Sequence, residues 1–365
     1  MELEDYNEDQ ELEIISRTGY KLKDLAKAFL QCLGETGPIS SGKLIHYTAD
    51  MVTSGGLALW EKLCWDYAYD HIGVASPRIF HFLFKKFREL NETSSRMPME
   101  GFFRKKEIQE QLVEIVLIMQ ECPKKTKCKI PTVSQDTHEN ESWLRSVLRT
   151  TDKLAVRRVY QRNSDLEPML HAGNEIVYAI QEGAPERALF WIKWLLEEDA
   201  ILKKKFGTGL TTIERGPVHF KPHQKTSVGY YIIAILAEVY KEFAEKGMVR
   251  MHEEFQALLD IYRSTNTQRK KIDTIAIMIQ ILTDVPKWKV PAAPSLVQDQ
   301  TKLQRAVSQS ESFFREVLML PIPKKLLPAT VTGIKQKKGK DTSKQNKLEQ
   351  QLAMIDEMTM NFYKM

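Results

Sequence analysis

The most recognisable chemical spacing lies at residues 37–43, where Gly-Pro-Ile-Ser-Ser-Gly-Lys matches the glycine and lysine positions of a phosphate-binding P-loop. That chemistry requires a β-strand before the loop and a hydroxyl residue after the lysine to bind magnesium. Here an amphipathic helical pattern precedes the loop, and Leu44 occupies the hydroxyl position. We therefore interpret the segment as a turn between two helices, with Ser40 or Ser41 capping the second helix.

Another group of residues has the side-chain types that bind zinc. Cys122 and Cys128, together with His219 and His223, would supply four ligands. The cysteine spacing is wider than in usual zinc sites, and about ninety residues separate the two pairs. The chain also lacks the GxSxG, HExxH and GxGxxG motifs. We predict reduced cysteines, no metal, no cofactor and no catalytic residue, so the chain is predicted not to be an enzyme.

Clusters of basic residues have the chemistry to neutralise nucleic-acid phosphates. The candidate contacts are Arg157, Arg158, Arg162, Arg269, Lys270, Lys271, Lys335, Lys337, Lys338 and Lys340. The cluster at 269–271 lies at a predicted helix start, where positive charge opposes the helix dipole. Trp191 and Trp194 beside basic residues would suit a nucleic-acid surface. Their helical spacing favours packing in the core instead.

The charge of the chain is concentrated at its two ends. The formal net charge is +5, yet residues 1–13 contain seven acidic residues and no basic one. Residues 324–347 contain eight lysines against one aspartate. Opposite terminal charges of this kind are typical of solvated tails. The lysine-rich segment is either a phosphate contact, with strongly salt-dependent affinity, or a linker that its charge keeps soluble.

The elements that must position these residues are predicted to be helices throughout. Apolar residues recur every three or four positions, and no segment alternates as a strand would. The predicted helical segments are 22–33, 44–52, 59–67, 77–87, 108–119, 143–159, 166–180, 185–205, 228–243, 251–262, 272–282, 303–320 and 348–358. We therefore predict an all-α, multi-helix globular fold with an acidic N-terminal and a basic C-terminal tail.

Breaks in this periodicity predict how the chain is divided. Residues 123–140 are polar, rich in lysine and without periodicity, which indicates a linker. The predicted parts are an acidic tail (1–18), an N-terminal helical domain (19–122), the linker (123–140), a C-terminal helical domain (141–320), a lysine-rich linker (321–345) and a terminal amphipathic helix (346–365). In that last helix the predicted partner-docking residues are Leu352, Ile355, Met358 and Phe362.

The sequence also predicts where the protein resides. The longest apolar run, 230–237, is far shorter than the ~18 residues that would cross a bilayer, so no membrane span is expected. The acidic N-terminal residues lack the basic and apolar regions of a signal peptide. We therefore expect a protein that is located in the cytosol, or in a compartment reached from it.

Three groups of segments resemble an uncharacterised, all-helical family of nucleocytoplasmic large DNA viruses of algae and protists. Their order and spacing cover most of residues 40–285. The first group contains Ser54-Gly55, Leu59-Trp60, His71-Ile72-Gly73, Pro77-Arg78 and Phe82-Leu83. The second group contains Ala188–Trp194, Glu197 and Lys203. The third group contains Arg269–Lys271, Ala276 and Leu282-Thr283-Asp284. The chain departs from the family at Ser76, where asparagine is usual, and in the cysteine-free loop 207–216.

The resemblance implies a viral protein made in the host cytoplasm that works in the virus factory or in the virion. It implies no enzymatic activity. We accordingly predict a non-enzymatic scaffold or adaptor that joins other viral proteins in virion assembly or genome processing. The alternative is a nucleic-acid-binding accessory factor for viral replication or transcription, with DNA or RNA as its partner.

Overall fold

The computed structural model describes residues 14–321, apart from residues 140, 150, 151, 266, 288 and 289. Helices dominate this part of the chain, and its β pairing is limited to isolated bridges such as that between Ile15 and Lys21. The predicted all-α fold is therefore confirmed. The predicted terminal helix, and the lysine-rich linker after Pro321, lie outside the described residues.

The first half of the described chain forms helices that each bury one apolar face. They are α1 (Leu22–Gly34), α2 (Pro38–Thr53), α3 (Leu57–Tyr67), α4 (Arg78–Ser94), α5 (Met99–Phe102) and α6 (Lys106–Glu121). A π-helical turn, Ala68–Ile72, and a 3₁₀ turn, Gly73–Ala75, connect α3 to α4. In α1 the buried positions include Leu22, Leu25, Phe29 and Leu33, which repeat the spacing that predicted the helix.

The second half combines short helices of four to nine residues with long, buried helices that form its core. They are α7 (Asp136–Glu139), α8 (Glu141–Val147), α9 (Leu154–Val159), α10 (Glu167–Gln181), α11 (Pro185–Phe206), α12 (Pro222–Lys225), α13 (Val228–Glu245), α14 (His252–Ser264), α15 (Gln268–Asp284), α16 (Gln300–Val307) and α17 (Ser310–Leu318). Proline opens α11, and Gly207 ends it with φ at +75°.

Two predicted helices are each divided in the structure. The segment 143–159 forms α8 and α9, because Arg149 N donates to Glu175 Oε1 at 2.6 Å and Lys153 N donates to Asn174 Oδ1 at 2.9 Å. These backbone groups bond to α10 instead of continuing a helix. The segment 303–320 forms α16 and α17, which part because α16 packs on α6 while α17 packs on both α2 and α6.

Helix α15 lies at the centre of the second half. Its residues from Asp273 to Thr283 are all buried, and it packs on α10, α11, α13 and α14. A helix that is apolar on every side has to be surrounded by other elements. Tyr69 of the π-helical turn also reaches it, with Oη 2.8 Å from Thr274 Oγ1.

The described residues belong to one compact unit that ends at Pro323. Helix α4 of the first half packs on α14 of the second, and Arg78 Nε lies 3.1 Å from Glu254 Oε1 across that contact. The division into separate domains at residues 123–140 stays a prediction. Within the described chain, none of the helices combines the length and apolar character needed to cross a bilayer.

Candidate functional site

An apolar groove of about 370 Å³ opens between the start of α2, the end of α6 and the two short helices α16 and α17. We call it the α2–α16 groove. Its walls consist mainly of aliphatic and aromatic side chains, which are Ile45, Leu117, Ile118, Leu296, Val297, Leu303, Ala306 and Phe313. Its volume falls within the range of roughly 300–1,000 Å³ that is typical of binding sites in proteins.

Small residues of two helices, α2 and α16, are among those that line the groove. A Cβ added to Gly42 of α2 would meet no atom within 4 Å. On the opposite wall, Ala306 of α16 provides only a methyl group. None of the residues of α16 is fully buried, so this helix covers the body without closing onto it. Helix α16 therefore has fewer buried contacts to the body than α2 or α6.

A charged pair spans one edge of the α2–α16 groove. Lys302 Nζ of α16 lies 2.5 Å from Glu121 Oε1 at the end of α6, and both side chains are exposed. The hydrogen bond to Glu121 raises the pKa of Lys302. Exposed pairs of this kind contribute little to stability, because water screens them. The pair therefore adds little to the attachment of α16 to the body.

The P-loop-like segment forms one end of the groove, and its geometry is that of a turn between two helices. Gly37, with φ at +124°, precedes the first residue of α2. Ser41 Oγ lies 2.9 Å from Gly37 O, and Ser40 Oγ donates to Glu35 Oε2 at 2.8 Å. The expectation that Ser40 or Ser41 caps α2 is wrong, because the helix begins earlier, at Pro38. The Glu35 carboxylate thus places a negative charge beside this turn.

The predicted phosphate contacts on α9 are engaged by carboxylates. Arg157 Nη2 lies 2.6 Å from Asp152 Oδ2, and Arg158 Nη1 lies 3.0 Å from Glu238 Oε2 of α13. Arg162 is exposed in the loop that follows α9. These contacts partly neutralise the basic face that the sequence predicts.

In the basic cluster at the start of α15, Arg269 is exposed, whereas Lys270 and Lys271 are half-buried. Arg269 lies within 4 Å of carboxylates of Asp70 and Asp273. Burial lowers the pKa of Lys270 and of Lys271. Lys271 Nζ is surrounded by three aromatic rings, with its distances to the ring centres at 5.3–5.6 Å. These rings belong to Phe220, Tyr230 and Tyr262.

The two basic clusters contact helix α13 at different points along its length. Lys271 contacts Tyr230 near the start of α13, whereas Arg158 contacts Glu238 further along the same helix. Eight residues of helix correspond to about 12 Å. The remaining candidate contacts, Lys335, Lys337, Lys338 and Lys340, lie outside the described residues. So do the predicted docking residues Leu352, Ile355, Met358 and Phe362.

The tryptophans of α11 form part of the core. Trp191 and Trp194 are each 3% exposed, which confirms the prediction that they pack inside the protein. His138 stacks on Trp194 with ring centres 5.4 Å apart, and its Nδ1 lies 2.7 Å from Glu198 Oε2. This buried histidine–carboxylate pair holds the segment around α7 against α11. Sequence reasoning missed it, because a single histidine in a polar segment carries no recognisable spacing.

The cysteines and histidines do not assemble as metal ligands. Burial raises the pKa of the Cys122 thiol to about 11, and His219 packs on Phe220 with ring centres 4.6 Å apart. In the described part of the chain no three His, Cys, Asp or Glu side chains are grouped so that they would hold a metal ion. The four cysteines are free thiols.

Comparison of the chain with protein-family models, with curated proteins and with solved structures found no match. The resemblance to a family of large DNA viruses therefore stays a prediction. The function has to be argued from the α2–α16 groove and from the charges of the chain.

Proposed function

We propose that this chain is a non-enzymatic helical adaptor whose α2–α16 groove binds an apolar segment of a partner protein. The observation that carries the proposal is the groove itself, with aliphatic walls and a lid helix, α16, that buries none of its residues. Partner helices commonly insert two or three apolar side chains into a groove between helices. The wall α16 adjusts to such an insertion, because only an exposed ion pair and half-buried contacts hold it.

An adaptor also requires a second contact. The predicted docking residues of the terminal segment, 346–362, supply one, and they are separated from the groove in the sequence by the lysine-rich segment. The viral setting comes from the resemblance alone. In that setting the adaptor would join other viral proteins during virion assembly or genome processing, in the host cytoplasm or in the particle.

The alternative function, nucleic-acid binding, is supported chiefly by the lysine-rich segment. Arg157, Arg158 and Arg269 already face carboxylates within the protein, so they contribute less to phosphate binding than free arginines would. Lysines 335–340 remain the better candidates for such contacts. We therefore place nucleic-acid binding second.

The adaptor proposal is tested by removing each contact separately. Ala306→Trp fills the groove with an indole, and deletion of residues 344–365 removes the terminal segment. The matched control is Ala200→Trp, which places the same side chain at an exposed position of α11. Each variant is used as bait in extracts of cells that produce the interacting proteins, and the captured proteins are then purified and titrated against the variants.

We expect the two changes to release different proteins, because the two contacts are distinct. Ala306→Trp should release the groove partner and leave the terminal-segment partner bound. The deletion should do the reverse while leaving the melting temperature nearly unchanged. If both variants retain every protein that the full chain and Ala200→Trp retain, the adaptor proposal is refuted.

A further inference from the structure

Lys271, in the first turn of α15, has its ammonium group among three aromatic side chains. Its Nζ lies 5.6 Å from the ring centre of Phe220, 5.3 Å from that of Tyr230 and 5.4 Å from that of Tyr262. These rings come from the loop before α12, from α13 and from α14, and all three are buried. We call Phe220, Tyr230 and Tyr262 the aromatic cage.

The ammonium group of Lys271 makes no hydrogen bond or ion pair with any other residue that the structure describes. Other lysines of the described chain that lie over a ring have an oxygen partner as well. Lys86 donates to a carboxylate, Lys124 to backbone carbonyls and Lys153 to a side-chain amide. Because an ammonium carries three N–H donors, the cage attracts the charge of Lys271 but offers its donors only ring faces.

The distances within the cage leave room for a carbon atom between the nitrogen and each ring. A single C–N bond is about 1.45 Å long, and carbon atoms in contact are about 3.5–4.0 Å apart. A methyl group on Nζ that points at a ring therefore places the nitrogen roughly 5–5.5 Å from that ring. The observed distances to Phe220, Tyr230 and Tyr262, 5.3–5.6 Å, agree with this spacing. The two tyrosine rings are 5.5 Å apart, so one methyl group directed between them contacts both.

Methylation would suit these surroundings better than a free ammonium does. It keeps the positive charge of a lysine and replaces N–H donors by methyl groups. The charge is still attracted to the ring faces, and the rings gain apolar contacts. Burial lowers the pKa of Lys271 because it removes water from the charged amine, and a methylated ammonium has fewer donors that need water. Aromatic cages that recognise methyl-lysine in other proteins use the same chemistry.

We propose that Lys271 is a site of lysine N-methylation and that the aromatic cage retains the methylated side chain. In each transfer the amine first gives one proton to water, and its lone pair then attacks the methyl carbon of a sulfonium donor. A C–N bond forms, the C–S bond breaks, and the donor leaves as a neutral thioether while the positive charge stays on nitrogen. The site includes none of the residues that line the α2–α16 groove, so it does not depend on the proposed function.

The position of Lys271 in the fold gives a transferring enzyme access to the amine. The side chain is half-buried, and the residues just before it, Gln268 and Arg269, are exposed. Helix ends open at a lower free energy than helix centres do. The first turn of α15 therefore presents Lys271 without unfolding the buried part of that helix.

The first test is mass spectrometry of the full chain isolated from the cells that produce it naturally. We expect one or more methyl groups at Lys271. The exposed Lys204 and Lys205 serve as internal controls and should be unmodified, because no cage surrounds them. A chain that carries no methyl group at Lys271 overturns the proposal.

The second test measures whether the cage holds the methylated side chain. Treating the full chain with ¹³C-formaldehyde and a borane reductant converts its lysines to dimethyl-lysine, whose methyl carbons are observed by NMR. The Lys271 signal, identified by its absence in Lys271→Arg, should lie outside the range of the exposed lysines, because the rings shield it. Phe220→Leu should move the signal toward that range. The matched control, Phe206→Leu, changes an exposed phenylalanine and should leave the signal in place.

The results of the second test decide the proposal independently of the first. A Lys271 amine that does not react, or whose signal lies among those of the exposed lysines, overturns retention by the cage. A signal that moves equally in Phe220→Leu and Phe206→Leu also overturns it. Circular dichroism spectra that match the unaltered chain show that each variant is folded, so that a shift reports on the cage.

Discussion

Replacing Asp165 by asparagine tests whether one buried ion pair holds the long loop 207–221 on the body. The Asp165 side chain is fully buried, and Arg215 of the loop approaches it with Nη2 2.5 Å from Oδ2 and Nη1 3.0 Å from Oδ1. Thr211 Oγ1 and Gln161 N also donate to the carboxylate, at 2.6 and 2.9 Å. Every group around this carboxylate is therefore a donor.

The size of the effect follows from this arrangement. An asparagine keeps the shape of the side chain but places an N–H₂ group among donors, and it leaves the Arg215 charge without its partner. Loss of one member of a buried ion pair costs about 3–5 kcal/mol. We expect the lower value, about 3 kcal/mol, because Arg215 is 12% exposed and also faces the Tyr231 ring, 5.5 Å away. The melting temperature should fall by roughly 6–10 °C.

The assay is urea unfolding followed by tryptophan fluorescence, with hydrogen exchange to locate the change. Exchange should accelerate first at residues 207–221, since the ion pair anchors that loop. The control is Asp152→Asn, which breaks the exposed pair with Arg157 and should cost less than about 1 kcal/mol. In an Arg215→Met background, Asp165→Asn should cost about 2 kcal/mol less than it does alone.

Two results would refute this reasoning. One is a cost for Asp165→Asn that is no larger than the cost of Asp152→Asn. The other is strict additivity with Arg215→Met, which would show that the two side chains do not stabilise each other. In either case the loop 207–221 would be held by its other contacts.

Three further predictions follow from packing and charge. Burial raises the pKa of Tyr230 to about 12, whereas an unfolded tyrosine ionises near pH 10. The free energy of unfolding should therefore fall as the pH rises from about 10 to 12. Absorbance by tyrosinate should then increase together with unfolding. Gly229→Ala should cost about 1–3 kcal/mol in thermal unfolding, because its Cβ would overlap the Tyr262 hydroxyl. Tyr262→Phe should relieve that cost, and Gly42→Ala, which meets no neighbour, should not reduce stability. In DNA titrations, removing residues 324–365 should reduce the slope of log Kd against log salt by about 0.9 for each lysine that contacts a phosphate, whereas an unchanged slope would identify that segment as a linker.

The helices of this protein were predictable wherever local periodicity and end signals agreed. In α11, the predicted start at Pro185 and the predicted end before Gly207 both agree with the structure. Both signals depend on a single residue, because proline restrains its own φ to a helical value and glycine readily adopts the positive φ that ends a helix. The prediction was wrong at residues 148, 149, 152 and 153, which are not helical. The backbone there bonds to Glu175 and Asn174 of α10, which are partners that periodicity within one segment cannot reveal.

The candidate site was much less predictable than the fold. The P-loop-like spacing at 37–43 identified the N-terminal end of α2, which does line the groove. The surroundings of this segment do not support the phosphate binding that the spacing suggests. The other walls of the groove come from α6, the loop before α16, and α17. The basic residues 269–271 suggested a phosphate surface, whereas the fold directs Lys271 among three aromatic rings.

The sequence by itself therefore determined the all-α character of the described chain, the burial of Trp191 and Trp194, and the opposite charges of its two ends. These properties depend on residue type and on spacing within one turn or one segment. Only the tertiary structure decided that small residues of α2 and α16 line the same groove, and which basic residues are paired with carboxylates. Such features depend on contacts between residues far apart in the chain, and the free energy that selects them comes from packing the whole core.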